Sequence, residues 1–125
     1  VGEIDLGRID VDPPNWRDWT VALDPPPRSI GMTFRDVTVH ECEACSACTS
    51  TVMLFLKRYE DALSDYRLTD GRFHIALGKR VADAPEGTVY VGNCTAVHRG
   101  QGIWVKGCPP VASAILEAVK RGKGD

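Results

Sequence analysis

Three cysteines stand in one nine-residue stretch, ECEACSACT at positions 41–49, and two more follow in GNC at Cys94 and KGCPP at Cys108. Thiolates bind soft metals and attack disulfides, so the pattern admits more than one chemistry. Cys42-x2-Cys45 is the spacing at which a single loop supplies two thiolates to a tetrahedral metal. Cys94 and Cys108 would complete a set of four. Zinc and iron–sulfur clusters share this spacing, so the pair alone does not choose between them. The glycines, prolines and small residues beside Cys94 and Cys108 suit a bulky cluster, because small neighbours let backbone come close. Backbone N–H groups at helix starts favour its negative charge. Cys45-Ser46-Ala47-Cys48 is itself C-x2-C, and reads as a redox dithiol if a helix start lowers the pKa of one thiol. A disulfide framework fits poorly, since the count is odd and a chain of 125 residues buries a core without staples. Inert burial accounts for one or two cysteines, Cys48 on a first helical turn foremost.

These residues need elements to bring them together. Met32, Phe34, Val37 and Val39 alternate imperfectly and predict a strand of about six residues ending near His40. Val52, Phe55, Leu56, Tyr59 and Leu63 then fall at helical spacing, with Lys57, Arg58, Glu60 and Asp61 on the other face. Thr49 or Ser50 is the expected cap of that helix. FHIALG at 73–78, TVYVGN from Thr88 and GIWVKG from Gly102 read as strands, and PPVASAILEAVKR as a final helix with its prolines at the start. Apolar strands alternating with helices predict an α/β fold, a mostly parallel sheet with covering helices. Loops at the carboxyl ends of such strands converge on one edge, where distant cysteines can meet.

The division expected is a proline-rich segment of strands and loops at 1–30, an α/β domain at 31–121 and a flexible tail at 122–125. Within the first segment EIDLGRIDV and WTVAL read as short strands, with Trp16 and Trp19 covering a sheet face. Hydrophobic residues make up 43% and charged residues 26%, with a net charge of −2, ordinary for a single globular domain and without the basic patch of a nucleic-acid binder. No apolar run is long enough to span a membrane, and no leader precedes one, so a cytoplasmic location is expected. Starting at Val1, the chain reads as a processed protein or a piece of a longer one. No nucleotide-binding glycine motif and no nucleophile–base pair stand out.

ECEACS at 41–46 resembles the E-C-x-G-C-[ST] segment of nickel–iron hydrogenase small subunits, and VGNC at 91–94 resembles their G-x-C segment. VKGCPPVASAILEAV at 105–119 resembles a segment shared with the 20-kDa-type cluster subunit of respiratory complex I. The resemblance implies a flavodoxin-like domain carrying a single 4Fe-4S cluster on Cys42, Cys45, Cys94 and Cys108, with Cys48 outside the ligand set. It implies one-electron transfer within a larger redox assembly, more an electron-transfer domain or subunit than a catalyst alone. The partner expected is a redox protein or catalytic domain, met by a polar rim of Glu41, His98, Arg99 and Lys106. The alternative is a structural zinc or iron–sulfur module mediating protein interaction.

Overall fold

A computed structural model describes residue 2, residues 5–23 and residues 34–124. Its centre is a four-stranded parallel sheet, β1 (Val37–Glu41), β2 (Phe73–Leu77), β3 (Val89–Val91) and β4 (Ile103–Val105), in that spatial order. Two helices accompany it, α1 (Ser46–Tyr59) and α2 (Ala112–Gly124). This is the expected flavodoxin-like α/β arrangement, a parallel sheet covered by helices. The central strand β2 is buried along its whole length, as a parallel strand covered on both faces must be.

Alternation within the strands sorts their side chains into two layers. Ile75, Leu77, Val89, Val91 and Val105 pack with Val52, Phe55 and Leu56 of α1 and Ile115 and Val119 of α2 in the main core. Phe55 meets the Phe73 ring at 6.4 Å and the Tyr59 ring at 5.7 Å. On the opposite face Ala76, Val81 and Tyr90 form a smaller cluster, with Ala84 and Trp104 against it. The apolar stripe predicted for the first helix is met by Val52, Phe55 and Leu56. Its last member, Leu63, is buried in a separate 3-10 helix, Glu60–Tyr66.

Register places the strand ends in one row. Glu41 pairs with Leu77, Leu77 with Val91, and Val91 with Val105. Every cysteine-bearing loop leaves the sheet from this row. Cys42 follows Glu41 directly, Cys94 comes three residues after Val91, and Cys108 three after Val105.

The first segment departs from the sequence reading. Among its described residues there is no strand. Leu6–Arg8 and Trp16–Trp19 are 3-10 turns instead. The Asp5 carboxylate accepts from the Gly7 N–H at 2.9 Å, a local bond that competes with extended pairing. Trp19 is 72% exposed and covers no sheet face. Ile4, Met32 and the proline-rich stretch at 24–30 lie outside the described residues. α2 runs to Gly124, through positions expected to be tail. No helix among the described residues is long and apolar enough to cross a membrane.

Candidate functional site: a thiol cluster at the strand ends

After β1 the chain turns at Glu43, which takes a φ of 53°. Cys42 lies before this turn and is tied to the end of β2. Its N–H donates to the Leu77 carbonyl at 3.2 Å, and its own carbonyl accepts from the Arg80 N–H at 3.3 Å. Gly78, at φ 115°, leaves no room for a side chain against that carbonyl. After the turn, Cys45 is the N-cap of α1, with extended backbone, and its carbonyl accepts the first helical bond from Thr49 at 3.0 Å. The helix starts earlier than Thr49 or Ser50 would have started it. That shift sets which cysteines lie on the helix.

Cys45 and Cys48 now occupy the N-cap and third positions of one helix. Cys45 is exposed and Cys48 is buried, only 2% accessible. The Cys45 sulfur makes no capping hydrogen bond of ordinary geometry. The Cys48 amide nonetheless lies close enough to hold its pKa below the usual thiol value; burial opposes this, and the Cys48 thiol and then the Ala47 amide add to the lowering. Unsatisfied N–H groups at a helix start favour negative charge for this reason. Cys48 is pushed up to about 12, first by burial and then by the charge of Cys45, with Cys94 and Cys108 contributing. Two thiols three residues apart are thus driven in opposite directions.

Gly92, the residue after β3, brings Cys94 to the same place. A Cβ at Gly92 would lie 3.3 Å from the Cys48 sulfur and 3.5 Å from the Cys94 sulfur. Its φ of 100° and ψ of 161° belong to a region that essentially only glycine enters. Four hydrogen bonds hold it. Its N–H donates to Val105 at 2.9 Å, and its carbonyl accepts from the Trp104 indole at 3.0 Å and from the Thr95 hydroxyl and amide at 2.9 and 3.2 Å. Asn93 then clamps the Cys108 loop. Its N–H donates to the Gly107 carbonyl at 2.8 Å, and its side-chain oxygen accepts from the Gly107 N–H at 3.0 Å. Cys94 and Cys108 each follow one partner of this clamp, and both are exposed.

The cluster expected on Cys42, Cys45, Cys94 and Cys108 is corrected by this geometry. Among the described residues no group of three or more His, Cys, Asp or Glu side chains is disposed to hold a metal ion. That overturns both the 4Fe-4S and the zinc assignments, the electron-transfer and metal-module functions built on them, and the hydrogenase and complex I resemblance. The local backbone gives the physical reason: Cys42 is hydrogen-bonded at the end of β2 before the Glu43 turn, and Cys45 caps α1 after it. Cys48, expected to stand apart, is the thiol on which the charges of Cys45, Cys94 and Cys108 converge. Its signal was in the sequence. Cys48 precedes Val52 by four residues and so lies on the buried stripe of α1.

The histidines do not join this group. His98, expected on a polar rim, is buried, hydrogen-bonded to Gln101 and the Val81 carbonyl and stacked on Tyr90. His40 belongs to a chain along the sheet. The Asp70 carboxylate accepts from His74 Nε2 at 2.8 Å, and His74 Nδ1 shares a hydrogen bond with His40 Nε2 at 2.9 Å. Burial and then His74 lower the pKa of His40. Glu41 accepts from the Thr49 hydroxyl at 3.4 Å, and Arg99 lies over the Trp104 ring. Lys106 is exposed.

No family model matches the chain, and neither a curated protein nor a solved structure matches it significantly.

Proposed function

We propose that the chain is a thiol–disulfide exchange protein whose reacting pair is Cys45 and Cys48. The observation that carries this reading is the placement of an exposed thiol at the N-cap of α1 above a buried thiol one turn later. Such a pair divides the labour of exchange, since the exposed member attacks and the buried one resolves.

The Cys45 thiolate attacks one sulfur of a partner's disulfide. That S–S bond breaks, and the other partner sulfur leaves as a thiolate and takes a proton. The Cys48 thiol then gives up its proton and attacks the Cys45 sulfur. The mixed disulfide breaks, the second partner sulfur leaves, and a Cys45–Cys48 disulfide remains. Two electrons have passed from the dithiol to the partner. Forming the mixed disulfide removes the Cys45 charge, one of the causes that hold Cys48 protonated, so the first step eases the second. The partner is a protein bearing an accessible disulfide, and a cytoplasmic setting would keep the five thiols reduced between turnovers.

The test is a trap. In Cys48→Ala, treated without oxygen with oxidised glutathione, a glutathione adduct on Cys45 should persist. In the unsubstituted chain that adduct should collapse to a Cys45–Cys48 disulfide, seen by peptide mass mapping. Persistence of the adduct in both proteins, or adducts that bypass Cys45, would refute the reading.

A further inference from the structure

We propose that Cys94 and Cys108 are a second dithiol that re-reduces the Cys45–Cys48 disulfide within the same chain, so that one chain delivers two reductions. The inference rests on the exchange function proposed above and adds a reservoir to it. Two features of the fold support it independently. A Cβ placed on Gly92 would lie 3.3 Å from the Cys48 sulfur and 3.5 Å from the Cys94 sulfur, so both sulfurs lie against the same point of the backbone. The reciprocal bonds between Asn93 and Gly107 hold the loops of Cys94 and Cys108 side by side.

The order of attack follows from that placement. Cys94 loses its proton and attacks the sulfur of Cys48, the member of the oxidised pair that lies with it against Gly92. The Cys45–Cys48 bond breaks, and Cys45 leaves as a thiolate, the better leaving group because its amide surroundings favour that charge. Cys108 then loses its proton and attacks Cys94. The Cys48–Cys94 bond breaks, and Cys48 leaves and is reprotonated. The products are a Cys94–Cys108 disulfide and a restored Cys45–Cys48 pair, with no net change in electrons and with one proton released for as long as Cys45 stays a thiolate. A second partner disulfide then oxidises Cys45 and Cys48 again. Cys42, tied to the end of β2, takes no part.

The full chain, reduced and kept without oxygen, is given excess oxidised glutathione, quenched at intervals with N-ethylmaleimide and mapped by mass. Four of the five thiols should be lost, ending as Cys45–Cys48 and Cys94–Cys108, with Cys42 alone outside a disulfide within the chain. The variant C94S/C108S should lose only two, as Cys45–Cys48. The variant C108S should accumulate a Cys48–Cys94 link. An unsubstituted chain that stops at Cys45–Cys48, with Cys94 and Cys108 alkylated or carrying glutathione, would overturn the reservoir and leave the exchange function standing. A C94S/C108S variant that forms no Cys45–Cys48 disulfide would overturn both. A Cys45–Cys94 link in C108S would overturn the order of attack.

Discussion

At the scale of the residue, one helix start separates two thiols that are identical in free solution. Alkylation of Cys45 should therefore show a pH midpoint below the roughly 8.5 of an ordinary thiol. Cys48→Ala should move that midpoint partway back up, because the thiol's contribution is lost and the amides remain. Rates of iodoacetamide labelling at Cys45 across pH check both. The buried partner carries the opposite sign. Cys48 favours its neutral form in the fold, so its contribution to stability is fully present below the ordinary thiol pKa and is lost as pH climbs toward about 12. Denaturant midpoints measured on the alkaline side should fall more steeply for the natural chain than for Cys48→Ala. Gly92 gives a third residue-scale expectation. Gly92→Ala forces a side chain into glycine-only backbone against both sulfurs, so unfolding free energy should drop by about 1–3 kcal/mol. A thermal or urea melt that leaves Gly92→Ala as stable as the parent would contradict the packing described around the thiols.

At the scale of the element, α1 both builds the core and aims the thiols. Val52, Phe55 and Leu56 are fully buried, and Cys48 continues their stripe toward the helix start. Phe55→Ala should cost about 3–5 kcal/mol, as large aromatic truncations in cores do. It should also loosen the docking that buries Cys48, read as faster Cys48 labelling in urea below the unfolding transition. The β1–β2 pair carries a separate pH dependence through Asp70, His74 and His40. His40 has a lowered pKa, so the fold prefers it neutral. Its contribution is present above the unfolded value of about 6.5 and is lost as pH falls through the lower folded value. His40→Gln should flatten stability between pH 7 and 5, whereas equal acid sensitivity in both proteins would assign the effect elsewhere. The elements differ in how well the sequence announced them. The stripe of α1 and the strand at 73–78 were legible because burial imposes a period on them. The alternation in EIDLGRIDV misled, because Asp5 bonds its own backbone two residues on and makes a turn where the pattern suggests a strand.

At the scale of the whole molecule, a parallel sheet with its strand ends in one row brings cysteines more than fifty residues apart to one edge. That convergence was readable from the order of strands and helices. Which cysteines share the site was not. Cys42-x2-Cys45 and Cys45-x2-Cys48 have the same spacing, and only the residue at which α1 begins decides between them. A start at Ser46 makes Cys45 a cap and Cys48 a core residue, and the turn at Glu43 leaves Cys42 on the strand side. Sequence spacing carries no record of that choice, and it led toward a metal site that the side-chain arrangement does not support. The most direct test is a redox titration of the chain purified without oxygen. It is equilibrated against graded ratios of reduced and oxidised glutathione, with metal and sulfide content measured on the same sample. A colourless protein without bound iron, sulfide or zinc is expected, in which Cys45 and Cys48 join in one disulfide as a two-electron couple once the Cys94–Cys108 reservoir has been oxidised. Thiols held back from labelling by stoichiometric iron and sulfide or by zinc, or a Cys45 that never links to Cys48 across the titration, would contradict that expectation.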